Sequence, residues 1–142
     1  MFNLTSHRLT QQYRISLAFV AAAVLTGALT AVFWSRFEDS PGLILAYLTA
    51  GFLIMAFVHQ WQKPGRFLIL AVVSIVAFFV FVLLHNLAYA AAELTADYPF
   101  ISGFFSVIDG LSFLLAVVVA PAAAGIGLVC AVITWWRQRE KI

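Results

Sequence analysis

Charge is what this chain has least of. Eight Lys and Arg and six Asp and Glu are spread over 142 residues, so 10% of the chain is charged and 64% is hydrophobic. A soluble domain carries about 25% charged and 45–50% apolar residues. So few polar groups cannot cover a surface that faces water, which makes the lipid bilayer the solvent for most of the chain. Cysteine is almost missing as well. Cys130 is alone, which excludes an intramolecular disulfide and any CxxC redox or zinc motif. It lies in an apolar run, where a free cysteine acts as a small hydrophobe. Motifs that carry chemistry are absent: there is no HExxH, no histidine pair at helical spacing and no glycine-rich phosphate loop. The pI of about 9.0 does not point to nucleic acid, because the basic residues sit at the edges of apolar runs and report topology instead.

Long apolar runs are what the chain does have. A helix needs roughly 20 apolar residues to cross about 30 Å of hydrocarbon, and four runs qualify, over about 15–35, 42–61, 67–92 and 112–136. The breaks are RFEDSPG, QKPGR and ELTADYPFISG, all polar and two of them holding the Pro-Gly pairs that punctuate helices. The expectation is an all-α polytopic membrane protein, a single domain over 1–142 with four transmembrane helices in a bundle and short loops. The first run is longer than the 7–15-residue core of a signal peptide and reads as a retained span.

Basic residues orient the bundle. Arg8, Arg14, Lys63, Arg66, Arg137, Arg139 and Lys141 fall on one side of a four-span path, and only Arg36 on the other. The positive-inside rule then puts both termini in the cytoplasm. Minimal loops suggest a bacterial inner membrane. Trp34, Trp61, Trp135 and Trp136 end spans and read as headgroup anchors.

The third run admits polar residues late, in LLHNLAYAAAEL. Twenty residues beyond Arg66 lies Asn86, about 30 Å along a helix, so His85 and Asn86 sit near the far boundary of the hydrocarbon. His85, Tyr89 and Glu93 are four apart and share a helix stripe, and Asp97 and Asp109 follow in sequence. A histidine with carboxylates is able to bind a divalent metal or act as an acid–base pair. No ligand-rich motif accompanies these five residues, and structural hydrogen bonding or headgroup contact is the favoured reading. No cofactor is expected. The stretch 98–110 reads as an amphipathic segment lying at the surface.

Pro121 falls inside the fourth run, where it removes a backbone hydrogen bond and kinks a helix. Small residues recur every four positions: Ala23, Gly27 and Ala31 on the first span, Ala46 and Ala50 on the second, and Ala123, Gly127 and Ala131 on the fourth. Such faces let membrane helices approach closely. The third span, with Phe78, Phe79 and Phe81, instead suits lipid or a bulky partner.

No Asp, Glu, Lys, Arg or His falls in the middle of any run, although ion-coupled carriers place such groups near the midplane. The mid-span polar residues are Thr26, Thr30, Thr49 and Ser74, which suit bonds to backbone or a neighbouring helix. The expected function is a non-enzymatic accessory or scaffold subunit, or an assembly factor, of a larger membrane complex. Its partners are the bilayer and either a membrane protein or further copies of the chain, with no nucleic acid. The alternatives are an oligomeric channel or carrier for a small solute, and a metal-, quinone- or haem-binding protein using the His85, Glu93 and Asp109 region.

Overall fold

The structure is a computed structural model that describes residues 3–36 and 40–140, with side chains over 10–33 and 41–140. The described elements are all helical: α1 (Asn3–Arg36), α2 (Ser40–Val58), α3 (Pro64–Leu94), α4 (Pro99–Leu114), a π-helical turn over Leu115–Val119, and α5 (Ala120–Arg139). Four helical stretches, Thr10–Phe33, Pro41–Val58, Pro64–Leu94 and Pro99–Arg139, are long and apolar enough to cross a membrane.

Proline sets where helices begin. Pro64 and Pro99 occupy the first helical turn, where a missing N–H breaks no bond. The residues before them, Lys63 (φ −98°, ψ 122°) and Tyr98 (φ −118°, ψ 86°), lie outside the helical region, as the proline ring requires of its predecessor. Pro41 is the second residue of α2. The Pro-Gly pairs therefore open helices and do not lie within loops.

The helices form two hairpins. In the first, α1 and α2 run antiparallel. The Ser16 hydroxyl donates to the Ala56 carbonyl at 3.2 Å, and the Thr49 hydroxyl reaches the Thr26 hydroxyl at 2.9 Å. Among the described elements α1 packs on α2 alone. In the second hairpin α3 runs antiparallel to α4, the π turn and α5. At one end the Gln138 side-chain amide donates to the Gln62 carbonyl at 3.2 Å; at the other the Ser102 hydroxyl donates to the Ala92 carbonyl at 3.1 Å. The hairpins meet where α2 touches the π turn and α5. Val58, Phe67 and Ala131 make a small core there, with Met55, Trp61 and Cys130 against it.

The long hairpin is held by a narrow seam. On α3 the buried and half-buried positions include Phe67, Ala71, Ser74, Phe78, Phe81, His85, Ala88 and Ala92, alternately four and three apart as in a coiled coil. Facing them are Phe105, Asp109, Ser112, Ala116, Ala120, Ala123, Gly127, Cys130 and Thr134, also four and three apart apart from one extra residue between Ala116 and Ala120. That residue falls in the π turn, where the Ala120 N–H bonds the Leu115 carbonyl five residues back. A π bulge inserts one residue without breaking the helix, so the seam keeps facing α3 on both sides of it. The stretch 98–110, expected at the membrane surface, belongs to a helix that starts at Pro99, runs along α3 and continues without a break into the fourth span.

Candidate functional site

The polar residues of α3 and α4 meet at the end of the long hairpin opposite the basic end. His85 Nδ1 lies 2.6 Å from Asp109 Oδ1, with the two side chains 32% and 24% exposed. The two contacting atoms are themselves out of solvent contact, and the ring N–H is not aligned for a hydrogen bond. Two bare lone pairs at that distance would repel, so a proton must rest on one of the two groups. Phe113 covers the imidazole, with ring centroids 5.3 Å apart. Below the pair, the Asn86 side-chain amide donates to the Val82 carbonyl at 2.8 Å, which keeps it on its own helix.

Of the five candidate residues, His85 and Asp109 come together and the other three do not. Tyr89, Glu93 and Asp97 are exposed. The reason is the seam. It passes through His85, Ala88 and Ala92, so residues at strict four-residue spacing drift off it, and Tyr89 and Glu93 turn outward. Glu93 is also eight residues from His85, about 12 Å along the axis. Among the described residues no three His, Cys, Asp or Glu side chains converge on one point. The arrangement is a two-residue acid–base pair, able to hold or pass one proton and to tie α3 to α4.

A second polar feature lies deeper, at the π turn. Pro121 has no N–H for the Val117 carbonyl four residues back. The Tyr47 hydroxyl, from α2, donates to that carbonyl at 2.6 Å. The side chain that satisfies the freed backbone group is thus also the polar link between the two hairpins. Tyr47 was not among the residues singled out from the sequence, although a tyrosine placed inside an apolar span must find a polar partner.

His59 forms a third. Its Nδ1 lies 3.1 Å from both the Met55 and Ala56 carbonyls. Carbonyls only accept, so Nδ1 carries the proton, and in the neutral ring Nε2 presents a lone pair. That Nε2 is buried with no partner among the described residues, and Phe19 packs on the ring, centroids 5.9 Å apart.

The mid-span hydroxyls bond locally. Thr26 donates to the Ala22 carbonyl at 2.9 Å and Thr30 to the Thr26 carbonyl at 2.8 Å. The single proton of Thr49 is shared between the Leu45 carbonyl at 2.8 Å and the Thr26 hydroxyl. Of the small residues, Ala23, Ala50, Ala123, Gly127 and Ala131 are buried, Gly27 and Ala46 are half-buried and Ala31 is exposed. Trp61 turns inward against Phe67, with ring centroids 5.5 Å apart, while Trp135 and Trp136 are exposed on the last turns of α5. The side chain of Trp34 lies outside the described residues.

The class defined by these features is an all-α membrane protein of four candidate spans, built as two helical hairpins that the Tyr47–Val117 hydrogen bond links among the described residues. No family model, curated protein or solved structure matches the chain.

Proposed function

We propose that the chain is a non-enzymatic integral membrane accessory or scaffold subunit, or an assembly factor, of a larger membrane complex, and that the tip of the long hairpin receives its protein partner. The observation behind this reading is apolar surface in the wrong solvent. Counted from Arg66, the hydrocarbon ends near Asn86, and Leu94 lies eight residues further, about 12 Å beyond that boundary. There Leu94 is 87% and Phe100 90% exposed, with Tyr98, Phe104 and Val107 exposed beside them. Large apolar side chains gathered at one end of the molecule, past the counted boundary, mark an interaction surface. The membrane reading extends to a bacterial inner membrane with both termini cytoplasmic, supported by the basic residues grouped at one end of the bundle.

The test is purification of the tagged chain in mild detergent beside a variant carrying Leu94→Ser, Phe100→Ser and Phe104→Ser. All three positions are exposed, so the variant keeps the wild-type helicity and elution. A partner at fixed stoichiometry with the wild type that is lost from the variant supports the reading. A wild-type chain that runs alone, or a partner retained equally by both, counts against it.

One observation favours a second reading, an oligomeric channel or carrier for a small solute. A π turn beside Pro121 is a common position for a conformational joint. Solute flux in proteoliposomes that is lost in Tyr47→Phe would favour it over the scaffold.

A further inference from the structure

A groove opens between the first turn of α3 and the last turns of α5, at the basic end of the bundle. It is lined by Pro64, Gly65, Leu68, Ala131, Val132 and Trp135 and encloses about 300 Å³, at the lower edge of the 300–1,000 Å³ typical of ligand sites. Its walls are almost wholly apolar. Its mouth is not. Trp135 carries the Arg139 guanidinium on its face, 3.8 Å from the ring centroid. Arg139 lies one turn beyond Trp135 and on the same side of α5, so the stacking holds a cation against a residue that walls the groove. Lys63 is exposed immediately before Pro64, which lines the groove. Among the described residues no carboxylate pairs with either of them. Arg137, two residues from Trp135, points to the other side of the helix.

We propose that this groove binds an anionic phospholipid, with an acyl chain along the apolar walls and the phosphate between Arg139 and Lys63. The occupant must be apolar at one end and negative at the other. It must also enter from the membrane, at the level where a tryptophan and basic residues mark the headgroup zone. A phospholipid with an acidic headgroup meets all three demands, and basic recesses between membrane helices take such headgroups. A protein helix would fill the groove without needing the held cation.

The test uses the full chain in detergent and native mass spectrometry, titrating dioleoylphosphatidylglycerol against dioleoylphosphatidylcholine. The wild type is expected to retain one phosphatidylglycerol in preference to phosphatidylcholine. Arg139→Gln is expected to weaken that retention about fivefold, the weight of one basic side chain at an anionic surface, and Arg137→Gln to leave it within twofold. Val132→Trp fills the groove from an exposed position and is expected to abolish retention with helicity unchanged. Equal retention of the two lipids overturns the proposal. So does undiminished phosphatidylglycerol retention by Arg139→Gln or Val132→Trp, or the absence of any retained lipid.

Discussion

At the scale of single residues, two polar contacts matter because lipid offers nothing to replace them. The Val117 carbonyl loses its helical donor to Pro121 and gains the Tyr47 hydroxyl at 2.6 Å. Tyr47→Phe strands that carbonyl. A buried acceptor left without a partner costs about 1–3 kcal/mol, although hydrogen bonds between membrane helices average only about 0.6 kcal/mol. The orphaned backbone group puts this case in the upper range, so Tyr47→Phe should lower thermal stability in detergent by about 1 kcal/mol or more. Pro121→Ala restores an N–H, and in that background the same change should cost much less; an equal cost in both backgrounds would refute the pairing. The His85–Asp109 contact calls for a different test. Leu at either position alone leaves a partly buried polar group facing an aliphatic chain, whereas the double replacement removes both. Each single variant is expected to lose about 1–2 kcal/mol, and His85→Leu with Asp109→Leu to recover most of it. Thermal unfolding of the four proteins gives the coupling directly.

At the scale of helices, close approach is the organising device. A Cβ built on Gly127 would lie 2.7 Å from the Phe67 carbonyl oxygen and 2.8 Å from the Ala71 nitrogen. Both are backbone atoms of α3, so no rotamer relieves the clash and the helices must move apart. At Gly125 the same atom meets nothing within 4 Å, and at Gly27 it meets only the Thr49 side chain at 3.5 Å. Gly127→Ala should therefore cost about 1–3 kcal/mol, while Gly125→Ala and Gly27→Ala should be neutral or stabilising, since alanine is the better helix former. Stability curves of the three variants check the ranking. The sequence shows why the fourth span was legible: its small residues stand out at four-residue spacing. The matching face of α3 was not. Ala71, Ser74 and Ala88 lie in a seam with Phe67, Phe78 and His85, and the large rings hide the pattern. In lipid the outer face is as apolar as the inner one, so hydrophobic periodicity carries no signal, and only size and polarity remain to be read. The π turn was equally hidden. Pro121 marks a disturbance, but whether a helix answers with a kink or an inserted residue depends on the seam across from it. For the same reason His85 and Asp109 could both be singled out while their pairing could not: the contact is set by the register of two helices, not by spacing along one.

At the scale of the whole molecule, the two hairpins differ in length. α2 has 19 residues, about 28 Å and just enough to cross hydrocarbon. α3 has 31 residues, about 46 Å, so its hairpin extends past the hydrocarbon at one end or both. The basic residues and Trp135 are the groups that bear on where the excess goes. In the proposed topology Lys63, Arg66, Arg137 and Arg139 would hold the basic end at the headgroups, and the surplus would emerge at the far end with Glu93, Asp97 and the exposed ring of Phe100. This arrangement predicts a labelling pattern. In a Cys130→Ala background, a cysteine at Asp97, exposed in the turn between α3 and α4, should react in intact cells with a maleimide that cannot cross membranes. One at Gln62, exposed between α2 and α3, should react only after permeabilisation. A third, at Tyr89, separates projection from burial. It lies three residues beyond Asn86, about 4.5 Å past the counted boundary, and should label more slowly than the one at Asp97 but faster than one at Phe79 within the span. Labelling at Gln62 and not at Asp97 in intact cells would invert the orientation and leave the fold untouched. Equal, slow labelling at Asp97 and Phe79 would place the tip inside the lipid, and the apolar surface there would then need no protein partner at all.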